Sequence, residues 1–161
     1  MRSGARSLSF AQKTGAALGA ERDAESLALA FFKCLDVCDV NGASALVAAE
    51  AEVDFGPAGI TGSFAAKGMP FLRDLSTAFP GLRVRVRSIM GNSHTVVVEI
   101  TVAGTQSADF LGIPNQRKEI EIDQAWVLTV SRGKIVAIRA YWCHSQLYRR
   151  LGIKRLDQNR R

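Results

Sequence analysis

Six consecutive residues constrain this fold most: Leu82-Arg83-Val84-Arg85-Val86-Arg87 alternate apolar and charged side chains without a break. A period of two belongs to a β-strand with Leu82, Val84 and Val86 on a buried face and the three arginines in water. The arginines therefore read as a solvated sheet face and not as an anion site. Three more extended runs follow, over residues 95–106, 118–131 and 135–144, separated by the turn-forming segments "GNSHT" and "SRGK". His94, in the first of these turns, is expected to be exposed. A strand wet on one side needs partners beside it and apolar cover on the other side, so the second half of the chain reads as an antiparallel meander.

The cover comes from the first half. From Glu21 the pattern turns helical, with Leu27, Phe31, Leu35 and Cys38 near the 3.6-residue period and Glu21, Asp23 and Glu25 at the end where acids favour a helix. That helix is expected to stop around Asp39-Val40-Asn41-Gly42. A short helix over 43–49, a strand over 51–55, a turn at 56–59 and a third helix over 63–79 complete the expected elements. Helices first and long strands afterwards make an α+β domain, a sheet curled over about three helices. At 161 residues, 47% of them apolar, the chain supports one core. The domain is expected over 21–152, between a flexible basic leader (1–20) and a basic tail (153–161).

The formal charge of +6 is concentrated at the two ends. Residues 1–20 hold Arg2, Arg6 and Lys13 and no acid, while residues 149–161 hold six basic residues against Asp157. A nucleic-acid binder is expected to carry such charge on a folded face with aromatic platforms, so no nucleic-acid partner is expected. The leader resembles a transit peptide in composition, and a disordered leader explains it equally well. No apolar run reaches the length of a membrane helix, which argues against a membrane role and for a cytoplasmic protein. Cys34, Cys38 and Cys143 are odd in number and fit no zinc spacing, so neither disulfides nor a metal are expected.

The segments "FPGLRVRVRSI", "TVVVEITVAGTQSADFLGIPNQRKEIEI", "AWVLTVSRGKIVAIRAYW" and "LYRRLG", in that order, resemble the SnoaL-like polyketide cyclases of the NTF2-like superfamily over residues 24 to 152. The resemblance implies an NTF2-like cone: a strongly curved antiparallel sheet wrapped by helices, open at one end to an apolar pocket, and paired into a homodimer through the outer sheet face. It also implies a cyclase or isomerase that needs no metal or cofactor. A pocket carboxylate in such enzymes removes a proton beside a ketone of a small apolar substrate, and apolar walls raise its pKa for the task. The family position of that carboxylate is Cys143 here. Relatives with epoxide hydrolase activity use an Arg and two Asp residues; Ser107 and Ala140 replace the Arg and one Asp, and Asp109 falls near the other.

Other groups must then carry the chemistry, if the pocket does more than bind a ligand or pair subunits. Asp54 and Asp123 are candidate bases, and Asp123 or its neighbour Gln124 must face inward or sit at a bulge. Cys143 and His144 form a candidate thiol–imidazole dyad, although adjacent strand residues point to opposite faces. Gln106 is a candidate pocket donor, in the place of a frequent family His. Trp126 can stack on a planar ring or serve the core. Tyr141 shares its parity with Arg139 and Cys143 and is expected beside the thiol; Phe110, in "FLGIP", completes the candidate substrate-binding set. Trp142 is expected beneath the helices or at the dimer face.

Overall fold

The computed structural model describes residues 10–153, with side chains from residue 23 onward. Helix α1 (Phe10–Asp36) begins within the stretch expected to be a leader. Ala11, Ala16, Ala17 and Ala20 are the best helix formers and outweigh Gly15 and Gly19. The first part of the leader and nearly all of the basic tail lie outside the described residues. Helix α1 ends in a left-handed turn at Cys38 (φ 56°), with Asp39 N–H bonded to Cys34 O at 2.8 Å and Cys38 N–H to Leu35 O at 3.0 Å. These two bonds close the last turn and satisfy carbonyls that would otherwise be orphaned.

Asp39 then caps α2 (Val40–Ala45), its side chain accepting from Gly42 N–H, so this helix starts ahead of its expected position. Strand β1 (Val47–Phe55), a 3₁₀ turn at Gly56–Ala58 and the short strand β2 (Ile60–Ser63) follow. Strand β2 has no apolar alternation, hence no signal in the sequence. A π-helical turn at Phe64–Gly68, capped by Ser63, leads into α3 (Met69–Ala78). The meander is β3 (Arg83–Gly91), β4 (Thr95–Thr105), β5 (Glu119–Ser131) and β6 (Lys134–Trp142), and α4 (His144–Arg150) closes the domain. The β5–β6 turn places Arg132 and Gly133 at φ 51° and 72°, the two left-handed residues that a tight hairpin with the right twist requires.

The strands form one curved, unclosed six-stranded sheet in the order β2-β1-β6-β5-β4-β3. Two expectations need correction: the described residues form four α-helices instead of about three, and their sheet is not wholly antiparallel. Strand β1 runs parallel to β6, which is possible because α3 and strands β2 to β5 lie between them in the chain. Register shifts at Val86/Ser88 and between Thr129 and Val130 each bend the sheet locally.

The concave face is the core. Val96, Val98, Ile100, Ile122, Leu128, Ile138 and Ala140 are buried there against Phe31 and Phe32 of α1 and Leu72 of α3. Phe32 and Phe55 each lie 5.5 Å from Trp126, ring centre to ring centre. Rings of this size, each removed from water, stabilise the fold by about 2 to 3 kcal/mol apiece before entropy is charged. Arg83, Arg85 and Arg87 are exposed on the convex side, as their alternation predicts. No helix among the described residues is long and apolar enough to cross a membrane.

Candidate functional site

At one end of the concave sheet the helices leave an apolar pocket. Its floor is Ile100 and Val102 of β4 and Ile120, Ile122, Gln124 and Trp126 of β5, and its walls include Leu35 of α1, Phe71 and Leu75 of α3, Phe110, Trp142 and Leu147. The free volume is about 30 Å³, the room of about one water molecule. Phe71 and Trp142, both in its lining, lie nearly parallel at 21° with ring centres 6.1 Å apart. A ligand larger than water enters only if lining side chains move.

Few polar groups reach this pocket. Gln124 sits on the inward row of β5, between Ile122 and Trp126, and its Oε1 accepts the Trp126 indole N–H at 2.8 Å. Trp142 donates its indole N–H to His144 Nδ1 at 3.3 Å. His144 opens α4 at the rim, its ring packed 4.3 Å from that of Tyr148. Burial pushes the His144 pKa below its ordinary 6.5, so the imidazole is uncharged at neutral pH. With Nδ1 accepting, the proton of this neutral ring sits on Nε2.

The structure distributes the candidate residues unevenly. Trp126 and Phe110 line the pocket, and His144 stands beside it. Asp54 is exposed on β1, outside the apolar row of Ala51, Val53 and Phe55. Asp123 points from the convex face, its side chain 70% exposed, where it accepts the Thr101 hydroxyl at 2.6 Å and faces Arg87 at 3.3 Å. The Thr101 hydrogen bond, aided by Arg87 and Arg85, holds its carboxyl below the usual 3.8. A pocket base requires the opposite shift. Gln106 is buried, but its amide is committed to bracing the loop that carries Phe110: it donates to Ile113 O and Pro114 O and accepts from Gln116 N–H.

Tyr141 is 49% exposed and does not line the pocket. Cys143, the residue before α4, is also exposed. Arg139, Tyr141 and Cys143 do share one side, as their parity requires, but it is the wet side; Ile138, Ala140 and Trp142 face inward. Among the described residues no hydrogen bond joins Cys143 to His144, whose Nδ1 is taken by Trp142. The charged Arg139 was the signal that this row faces water. Of the pair Asp123 and Gln124 it is Gln124 that faces inward, Trp142 lies in the pocket wall beneath the helices and not at the dimer face, and Phe71 is a lining residue that sequence reasoning did not single out. For Gln124 the signal existed, because it continues the row Ile120, Ile122, Trp126, Leu128.

Among the described residues no three His, Cys, Asp or Glu side chains gather as a metal site.

Residues 25–151 match the family of SnoaL-like polyketide cyclases. A comparison with curated protein sequences found no match. Among solved structures, a candidate SnoaL-like polyketide cyclase from Jannaschia sp. CCS1 superposes with a TM-score of 0.76 at 16% identity, covering 84% of this chain and 96% of that one. AclR of Streptomyces galilaeus, a candidate hydroxylase, gives 0.71 at 23% identity over 80% and 94%. IdmH of Streptomyces antibioticus, a candidate polyketide cyclase, gives 0.68 at 18% identity over 80% and 97%. At these identities the likeness establishes the fold.

Proposed function

Because this chain belongs to the SnoaL-like polyketide cyclase family, we propose that it works as a cyclase or isomerase, without metal or cofactor, on a small, flat, apolar ketone held in the aromatic pocket. The observation that carries this reading is the pocket itself: aromatic walls, an amide on the floor and an uncharged imidazole at the rim. Asp54 and Asp123 are on wet surfaces, so proton handling is assigned to His144. A ligand entering between Phe71 and Trp142 displaces the indole that occupies Nδ1. The freed nitrogen then takes the proton beside the ketone, and the enolate so formed closes the ring or reprotonates at another carbon. In this reading the resting hydrogen bond masks the base until substrate arrives.

A second reading is binding without turnover, and one observation favours it: no carboxylate among the described residues lines the pocket. The apolar convex patch of Val97, Ala125 and Val127, with Met90 57% exposed beside it, is assigned to a second copy of the chain, and in a purely dimerising role it would be the only working surface.

Deuterium exchange separates the readings. Wild-type protein is mixed with cyclic and 1,3-dicarbonyl ketones in D₂O and α-proton loss is followed by NMR. Catalytic exchange that falls by about a hundredfold or more in His144→Ala supports the acid–base reading. Binding with no exchange above background supports the second.

A further inference from the structure

We infer that Gln124 determines the specificity of the pocket: Trp126 fixes its amide with the N–H donors toward the cavity, so the site selects ligands that present a carbonyl acceptor there. The inference rests on the pocket being a ligand site, as proposed above. Its argument comes from what each polar group already does.

The inward row of β5 is apolar at every position but one. Ile120, Ile122, Trp126, Leu128 and Val130 are buried, and Gln124 interrupts them in the middle of the pocket floor. An amide in such a row is costly unless paired. Half of this one is paired, and the partner decides which half. An indole nitrogen can only donate, so the atom 2.8 Å from Trp126 Nε1 must be the amide oxygen. Oxygen and nitrogen are thereby ordered by chemistry, and Nε2 is left pointing away from the indole.

Its two hydrogens have no protein acceptor among the described residues, yet Nε2 is not sealed off, because no fully buried polar side-chain atom of those residues lacks a partner. The other donors on the pocket walls are spent. Trp126 gives its N–H to Gln124 and Trp142 gives its N–H to His144. The Gln124 NH₂ is therefore the uncommitted donor of the described lining, set in apolar surroundings where a hydrogen bond to a ligand is strengthened. A ketone oxygen satisfies it; a hydrocarbon, or a group that can only donate, leaves it unpaired. Trp126 is then a positioning residue as well as a wall.

The test uses three bicyclic probes of similar size: 1-indanone with an acceptor, indane with neither group, and indole with a donor. Affinities are read by NMR titration of the full chain, with circular dichroism confirming that each variant folds. Wild type is expected to bind 1-indanone about tenfold more tightly than either other probe. Gln124→Leu is expected to bring the three affinities within about twofold of each other. Trp126→Phe keeps the amide but frees it to turn, and is expected to shrink the 1-indanone to indole ratio while binding persists. A wild type without this preference, or a Gln124→Leu variant that keeps it, overturns the inference. A readout without ligand stands beside these: hydrogen exchange of the Trp126 indole N–H, expected to quicken about tenfold or more in Gln124→Leu. Unchanged exchange overturns the amide orientation itself. If no probe binds, the pocket reading fails, and quickened exchange in that case leaves Gln124 as a structural partner of Trp126 and overturns its role in selection.

Discussion

Replacing Asp36 should reveal how the pocket's walls are tied together. An acid in the last turn of a helix faces the negative end of the dipole, so Asp36 needs compensation from elsewhere. It finds this on β3, the edge strand: the carboxylate accepts Val84 N–H at 2.7 Å and Arg83 Nε–H at 3.1 Å. Val84 N–H has no strand beyond it to pair with, and the Asp36 side chain, 27% exposed, covers it. Arg83 is 77% exposed, so that ion pair contributes only a few tenths of a kcal/mol, about the lower half of the range for surface pairs. A charged acceptor on a partly buried N–H contributes about 1.5 to 3 kcal/mol. Water can reach the exposed edge in a variant, which favours the lower end. Asp36→Ala is thus expected to cost about 2 kcal/mol and Asp36→Asn, which keeps an acceptor, about 1 kcal/mol. In a domain of this size these are Tm losses of roughly 4 to 8 °C and 2 to 4 °C. Urea unfolding followed by tryptophan fluorescence measures both. An Asp36→Ala cost below about 0.5 kcal/mol, or equal costs for both variants, would refute the reasoning.

Three further outcomes are expected. Iodoacetamide should label the exposed Cys143 well before Cys34, whose thiol pKa burial pushes up, and His144→Ala should leave the Cys143 rate within a few-fold; a rate that collapses in that variant would revive the dyad. Sedimentation at micromolar concentration should show a dimer that Val127→Lys splits, and a wild-type monomer counts against the convex face as an interface. Because the folded His144 pKa lies below 6.5, its unfolded form binds more protons as pH falls, so stability held above pH 6.5 should decline through the folded pKa; His144→Phe should flatten that decline in urea melts at pH 7.5 and 5, and an unchanged slope would reject the assignment.

Much of the architecture was legible in the chain because amphipathic periods are local. Leu82 to Arg87 alone set which side of β3 meets the core. On β5 the same rule places Gln124 inside, in the row of Ile120, Ile122, Trp126 and Leu128, and Asp123 outside. The α1 period through Leu27, Phe31 and Leu35 likewise named a face that the structure buries wholly or in part. The short strand β2 carried no such pattern.

Tertiary structure decided the rest. On β6, Ile135 and Ile138 are both buried although they differ in parity, because the strand's register against β5 shifts beside Thr129 and Val130. One added residue in a pleated ladder exchanges its two faces, so parity counted from Ile135 across the shift would put Ile138, Ala140 and Trp142 on the wrong side, and only counting from Arg139 onward assigns them. The parallel pairing of β1 with β6 joins residues more than eighty positions apart and leaves no local trace. The hydrogen bonds that orient Gln124 and occupy His144 depend on which side chain stands across the pocket. Alternation determined inside and outside wherever the register runs unbroken; packing alone determined which polar atoms were spent and which remained free.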